Sequence, residues 1–212
     1  MIRHVGFLAL LLLLAACNED TVPNIPPTAG SNPWVFQYSP NMPQQPAVDG
    51  AAGSYQFAFP AADGVHYLVQ KRTLPIVGDM FIDLEIVGGG VLFGSDAAGQ
   101  ACGGPAHMGL YFQRLGDNFG GDQPNGRWFS TQRYDLSQIG SGSLAVPMDP
   151  AQWGNVFGKL GDDISTGMGT AFKETAAQPQ AMGLTFGRGC FAGHGIYAQG
   201  QVTFKIRDFG LR

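Results

Sequence analysis

The stretch MFIDLEIV, residues 80–87, carries an aliphatic side chain or methionine at every second position. Successive side chains of a β-strand point to opposite faces of the sheet. Met80, Ile82, Leu84 and Ile86 would therefore share one face of a strand, which we expect to be buried. Similar short segments recur between glycines further along the chain, and they predict strands at residues 90–94, 108–115, 127–134, 142–147, 181–186, 194–199 and 201–207.

Two segments before this stretch also alternate, at residues 55–59 and 66–72. The pair Asp63-Gly64 between them favours a tight turn, so together they predict a β-hairpin. With about ten strands in one domain, the chain is predicted to be all-β, a two-sheet antiparallel β-sandwich of the jelly-roll type.

Helix signals are few, and they predict one or two short helical turns. Asp149, followed by proline, can cap a turn before Trp153, and Thr170 can start another turn before Pro179. We expect Trp153 to pack in the core.

The composition excludes several classes of protein. Charged residues make up 13% of the chain, and there are 32 glycines. Coiled coils and long helical bundles need many charged residues and few glycines. The net charge of −4 gives no basic surface for nucleic acid. The many aromatic and aliphatic residues argue against disorder.

The N-terminus reads as an export signal. A basic start precedes an apolar run at residues 5–16, which is too short to span a bilayer as a mature helix. The run ends in Leu14-Ala15-Ala16-Cys17, which resembles the lipobox of bacterial lipoproteins. That resemblance implies cleavage before Cys17 and acylation of its thiol, so that the lipid bilayer is a partner of the chain.

The chain then divides into three parts. Residues 1–16 are the predicted lipoprotein signal peptide, residues 17–50 the lipidated cysteine with a proline-rich tether, and residues 51–212 the sandwich domain. The segment 34–38 interrupts the tether and can dock on the domain as an edge strand. By resemblance to enterobacterial sorting rules, Asn18 favours the outer membrane as the location in the cell envelope.

Two cysteines remain beyond the anchor, Cys102 and Cys190. Outside the cytoplasm such a pair most often forms a disulfide, which is the favoured prediction. Two free thiols are an alternative. A third is a metal site with His107 and His194, although the spacing lacks the tight pairs that are typical of zinc modules.

The C-terminal half contains a series of short segments in a characteristic order, at residues 142–147, 153–157, 172, 182–186, 195–197 and 202–209. Their order resembles that of galactose-binding-like jelly rolls, a group that includes many carbohydrate-binding modules. In that group a strand leads to a tryptophan-bearing turn, a short helix and three closing strands. The resemblance implies a fold far more than a ligand.

The strongest binding signal is aromatic. If the strands on either side of the glycine-rich loop 116–126 pair, one surface could present Tyr111, Trp128 and Tyr134 with Gln113 and Gln132. Sugars bind such surfaces because their C–H faces lie on aromatic rings while amides hydrogen-bond the hydroxyls.

Two alternatives to this surface stay open. Aromatic residues on sandwich strands are more often core residues than ligand contacts. Arg127 and Arg133 lie on the opposite face of the second strand and do not easily fit a core, so the pattern leaves open which face is outside.

Acidic residues give weaker signals. Asp83 and Glu85 share a strand face about 7 Å apart, a spacing that an inverting glycosidase could use. Phe81 stands where jelly-roll β-glucanases carry an acidic residue of their motif, so the resemblance to those enzymes fails at that position. No cofactor is expected, although a structural calcium ion has candidate ligands in loops at Asp117, Asp122, Asp162 and Asp163.

The sequence thus favours a lipid-anchored envelope protein that binds a ligand without catalysis, with glycan as the favoured ligand. One alternative is a structural lipoprotein that meets another envelope protein. The other, less favoured, is a glycan hydrolase or lyase that uses Asp83 and Glu85.

Overall fold

The computed structural model describes five stretches of the chain. Their compact unit begins at Asn32, so it includes residues that the sequence analysis assigns to the tether. The sites of the predicted lipidation and disulfide, Cys17, Cys102 and Cys190, lie outside the described residues. The described stretches are residues 32–49, 54–95, 104–119, 121–189 and 192–212.

Strands dominate the described residues, which include one α-helix, α1 (Met168–Ala177). Short 3₁₀ turns occur at Pro124–Gly126, Pro150–Gln152 and Ile164–Thr166. The strands are β1 (Trp34–Gln37), β2 (Ala47–Asp49), β3 (Ser54–Ala58), β4 (Tyr67–Lys71), β5 (Asp79–Gly88), β6 (Val91–Gly94), β7 (Ala106–Arg114), β8 (Arg127–Ser130), β9 (Tyr134–Asp135), β10 (Gly140–Pro147), β11 (Trp153–Gly154), β12 (Pro179–Arg188), β13 (Ile196–Gln199) and β14 (Val202–Leu211).

The strands form two main antiparallel sheets. The large sheet has the order β1-β4-β12-β7-β8-β11, with β9 also paired to β7. The small sheet has the order β10-β5-β14-β3-β2, and β6 and β13 form a separate pair. The fold is therefore an all-β antiparallel sandwich, as the alternating segments predict.

The main core combines side chains from both sheets. Met80, Ile82, Leu84 and Ile86 of β5 are at most 1% exposed, which confirms the predicted buried face. The ring of Phe204 in the small sheet lies 5.7 Å from that of Phe186 in the large sheet. Burial of each large apolar side chain stabilises the fold by about 1.5–3 kcal/mol relative to its exposure.

The local turn predictions are also confirmed. The carboxylate of Asp149 accepts a hydrogen bond from the amide of Ala151 and caps the first helical turn. Trp153 is buried, and its indole Nε1 donates to the carbonyl of Pro147 at 2.8 Å. The predicted turn at Thr170 is longer than expected, because α1 runs for ten residues.

The predicted hairpin at residues 55–72 is wrong. β3 pairs within the small sheet and β4 within the large sheet, so the chain crosses from one sheet to the other between them. Val65 in the crossing segment is buried and exchanges two backbone hydrogen bonds with Ile196 of β13. Pairing with this distant strand replaces the local pairing that the turn signal favours.

The segment 34–38 docks as expected. Residues 34–37 form β1, which pairs with β4 at the edge of the large sheet. Trp34 is 1% exposed, and its ring contacts that of Phe209 at 4.8 Å. A proline-rich stretch can supply such a strand only at an edge, because proline lacks the amide donor of an interior strand.

Candidate ligand-binding cleft

The outer face of the large sheet carries an apolar cluster separate from the main core. It consists of Tyr67, Val69, Tyr111, Phe129 and Ala181. The strand register sets Val69, Tyr111 and Phe129 in one row across the sheet. The ring of Tyr111 lies 5.1 Å from that of Tyr67 and 5.4 Å from that of Phe129.

A cleft of about 710 Å³ opens over this cluster. Phe129 contributes to its floor, and loops at residues 38–40, 154–160 and 192–194 contribute to its walls. The volume falls within the range of small-molecule sites, which is roughly 300–1,000 Å³.

Three aromatic side chains form one wall, Tyr38, Tyr67 and Phe119. The ring of Phe119 lies 4.7 Å from that of Tyr38 and 5.3 Å from that of Tyr67. Tyr38 is 58% exposed, so its ring is accessible to a ligand. Burial raises the pKa of Tyr67 to about 12, which keeps its hydroxyl protonated and able to donate a hydrogen bond.

Backbone strain concentrates at this cleft. Among the described residues, three that are not glycine have a positive φ: 54° at Tyr38, 49° at Asp63 and 64° at Phe119. All three line the cleft. Such conformations cost about 1–3 kcal/mol each and cluster at functional sites, where the surrounding structure holds them in place.

Hydrogen bonds from side chains hold these loops. The carboxylate of Asp117 accepts from the amide of Phe119 at 2.7 Å, and that of Asp63 accepts from the amide group of Asn41 at 3.1 Å. The hydroxyl of Ser39, next to Tyr38, accepts from the amide of His66 at 3.0 Å.

The loop at residues 154–160 is held in the same way by Asn155. Its Oδ1 accepts from the amides of Phe157 and Lys159, both at 2.9 Å, and its Nδ2 donates to Oδ1 of Asn125. The walls are therefore shaped by the chain itself, a preorganisation that favours ligand binding.

Two arginines line the cleft in different electrostatic settings. Arg127 lies 3.3 Å from the carboxylate of Asp117 and over the ring of Phe119. Both partners of this ion pair are buried, and Gln113 donates a hydrogen bond to the same carboxylate at 3.0 Å. The charge of Arg127 is thus compensated within the protein.

Arg133 has no such compensation, because no carboxylate of the described residues lies within 4 Å of its guanidinium. It lies over Gly109 of β7, where a Cβ would be 2.8 Å from Nη1, so glycine leaves the space that the guanidinium occupies. Burial lowers the pKa of Arg133 to about 10, which still leaves it charged at neutral pH.

Two histidines complete the rim. Nδ1 of His66 donates to the carbonyl of Gly193 at 2.9 Å. Burial, with a smaller contribution from His66, lowers the pKa of His194. The ring of His194 therefore favours the neutral form at neutral pH and adds a polar group without charge.

The predicted aromatic surface is wrong. β7 and β8 do pair, but the register sets Phe112 opposite Trp128 and Tyr111 opposite Phe129. Since opposed residues share a face, Tyr111 and Trp128 lie on opposite faces of the sheet. Trp128 is buried in the main core, where its ring lies 5.2 Å from that of Phe172.

The other predicted ligand contacts are also dispersed. Tyr111 and Gln113 are buried on the outer face, where Gln113 holds Asp117. Gln132 is exposed and donates to the side-chain oxygen of Gln152, while Tyr134 is half-buried against the core.

The predicted acidic pair lies in the other sheet. Asp83 is exposed on β5, and Glu85 forms an ion pair with Arg207. Neither side chain lines the cleft.

The candidate calcium ligands Asp117, Asp122, Asp162 and Asp163 form no common site. Asp117 pairs with Arg127, and Asp163 accepts from the amide of Ser165. In the part of the chain that the structure describes, no group of three or more His, Cys, Asp or Glu side chains could hold a metal ion. Nε2 of His107, a candidate metal ligand, donates to the carbonyl of Gly189.

Sequence reasoning missed Tyr38 and Phe119, because both lie in loops without a recognisable motif. The sequence does contain a signal for Arg133. Arg127 and Arg133 lie on the same face of the predicted strand 127–134, and two arginines on one face do not easily fit a core. This face, rather than the face of Trp128, turns toward the cleft.

The fold and the cleft together define an antiparallel β-sandwich with a preformed cavity on the outer face of one sheet. Comparison with models of known protein families gives no match, and no curated protein sequence matches the chain significantly. The helical part of the described residues includes no segment of the length and hydropathy that a membrane span requires.

Proposed function

We propose that this chain is a bacterial envelope lipoprotein that binds a saccharide in the cleft of its β-sandwich without catalysis. The proposal combines the lipobox at Cys17, which supplies the anchor, with the aromatic wall, which supplies the binding surface. The observation that carries it is the accessible ring of Tyr38, beside Phe119 and Tyr67 and surrounded by polar groups.

The chemistry of the wall fits a sugar. The C–H faces of a pyranose pack on aromatic rings, and its hydroxyls exchange hydrogen bonds with polar groups. The hydroxyl of Tyr67 and the side chains of His66 and Thr131 line the same cleft and can exchange such bonds. Because hydrogen bonds already hold the loops in place, less conformational entropy is lost when a ligand binds.

Binding without hydrolysis fits the carboxylates of the site. Glycosidases generally use a pair of carboxyl groups on either side of the scissile bond. Asp63 is the one carboxylate among the described residues that line the cleft, and it is hydrogen-bonded to Asn41.

A glycan array probed with the full chain in detergent tests the proposal. Tyr38→Ala removes an exposed ring, so we expect affinity to fall about fivefold or more with little change in stability. Tyr197→Ala is the matched control, because Tyr197 stacks on Phe93 in the separate β6–β13 pair. Absence of binding to every glycan, or equal binding by both variants, would overturn the proposal.

The anchor has its own test. Fatty-acid labelling of the expressed chain should be lost in Cys17→Ala, since the acylated thiol is then missing. Equal labelling of the wild-type chain and the variant would refute the lipoprotein proposal and leave the saccharide proposal standing.

A structural lipoprotein that contacts another envelope protein is the second candidate. The exposed side of β6 favours it, because Val91 is 58% exposed and the ring of Phe93 stacks on that of Tyr197. Photocrosslinking from position 93 in intact cells, with position 38 for comparison, would detect such a partner. A crosslink to one defined protein from position 93 alone would favour this function.

The enzymatic alternative requires Asp83 and Glu85 to act on a glycan. Release of reducing sugar by the wild-type chain, lost in Asp83→Asn, would establish it. Glu85 is paired with Arg207, and neither carboxylate lines the cleft, so binding is the better supported function.

A further inference from the structure

We propose that the Arg133 end of the cleft binds the negative group of an acidic saccharide, a sugar that carries a carboxylate or a phosphate. This inference rests on the proposed saccharide-binding function and adds the charge of the ligand to it.

The first step is the position of the guanidinium. The strand register aligns Tyr67, Thr185 and Gly109 in one row on the outer face. The guanidinium of Arg133 lies over Gly109, at the end of this row. Arg133 and Tyr67 both line the cleft. A ligand that packs on the aromatic wall can therefore extend along this row toward the guanidinium.

The second step concerns the hydrogen-bond donors of the Arg133 guanidinium. Among the described residues, the hydrogen bonds of Arg133 come from Nη1, to Ser130 Oγ at 3.3 Å and to the carbonyl of Gln132 at 3.5 Å. Nε and Nη2 leave one edge of the guanidinium without a partner from these residues. That edge presents two parallel N–H groups, a geometry that matches the two oxygens of a carboxylate or a phosphate.

The third step is charge balance. A partly buried cation without a counter-charge is unfavourable, and a bound anion would compensate it. Arg127 in the same cleft already has Asp117, so Arg133 is the arginine of the cleft that lacks a counter-charge. Asp63, the acidic residue of the lining, is exposed and therefore hydrated, so it opposes an anion only weakly.

The experiment uses two pairs of ligands, and the members of each pair differ at the group that carries the negative charge. Calorimetric titration of the full chain in detergent compares tri-galacturonate with its methyl ester, and glucose 6-phosphate with glucose. We expect the acid to bind roughly 10- to 100-fold more tightly than the ester, as for hydrogen bonds to charged groups. The glucose 6-phosphate arm shows whether phosphate replaces carboxylate.

Variants assign the effect to one residue. Arg133→Gln should reduce the difference between acid and ester to about twofold or less, and Arg133→Lys should retain part of it. Arg114→Gln is the control, since Arg114 is an exposed arginine that pairs with Glu174 and does not line the cleft. Circular dichroism verifies that each variant is folded.

The outcomes separate this inference from the proposed function. Equal binding of acid and ester, or an unchanged preference in Arg133→Gln, overturns the inference and leaves the saccharide-binding function standing. Acetate and inorganic phosphate are added as probes in the same titration. Their binding, if it depends on Arg133 and no saccharide binds, supports an anion site at Arg133 but overturns the saccharide-binding function and, with it, the acidic saccharide as the ligand. Absence of binding by every probe overturns both.

Discussion

Replacement of Trp128 by alanine tests whether this side chain belongs to the core or to a ligand-binding surface. The side chain is fully buried, its ring packs on Phe172, and its indole Nε1 donates to the carbonyl of Asn125 at 3.1 Å. Truncation of a buried tryptophan costs about 3–5 kcal/mol through lost transfer energy and a residual cavity. The carbonyl of Asn125 keeps the hydroxyl of Thr175 as a donor at 3.2 Å, and the lost indole hydrogen bond adds about 1 kcal/mol.

We therefore expect Trp128→Ala to lower the free energy of unfolding by about 4–6 kcal/mol, a large part of the stability of a typical domain. Urea titration followed by far-ultraviolet circular dichroism measures it. With a slope of roughly 2 kcal/mol/M, the midpoint should fall by about 2–3 M. Tyr38→Ala is the comparison, with an expected change of about 0.5 kcal/mol or less.

The stability and the ligand binding of Trp128→Ala and Tyr38→Ala, taken together, decide between these two roles of Trp128. A Trp128→Ala protein that keeps its stability but loses ligand would restore Trp128 to a binding surface and refute the strand register. Loss of stability in Trp128→Ala, together with loss of ligand in Tyr38→Ala, supports the arrangement described above.

Three further predictions concern the support of the cleft and the ends of its strands. Asp117→Asn should cost about 3 kcal/mol in urea titration, because it removes a buried counter-charge of Arg127; a loss below about 1 kcal/mol would contradict this. Burial lowers the pKa of His107 in the folded state, so stability is retained above the unfolded pKa of about 6.5 and lost as pH falls below it. His107→Gln should flatten this decline, and an identical pH profile of the variant would refute it. Reduction of the denatured protein should add two hydrogen atoms to its mass if Cys102 and Cys190 form the predicted disulfide, and an unchanged mass would refute the bridge.

The features that the sequence predicts well are local. Alternation in β5 fixes which side chains are buried, because each strand must hide one face whichever strands flank it. The cap at Asp149 and the burial of Trp153 likewise depend on a few neighbouring residues. The type of element follows from such signals, and the structure confirms the sandwich, although its described residues form fourteen strands rather than about ten.

The features that the sequence does not predict depend on distant partners. The turn signal at Asp63 says nothing about Ile196, whose hydrogen bonds with Val65 direct the chain into the other sheet. The alternation of β8 is read correctly, yet a shift of one position in register exchanges the two faces. Trp128 thus enters the core, and Phe129 turns to the cleft.

The separation of core and cleft gives the strained residues a physical explanation. Tyr38, Asp63 and Phe119 lie in loops over the outer face, whereas the main core lies between the sheets. Their positive φ angles cost stability that glycine at the same positions would recover. Glycine at position 38 or 119 would also delete a ring of the aromatic wall. The strain is thus tied to the side chains that shape the cleft, which is the relation expected of a binding site rather than of a scaffold.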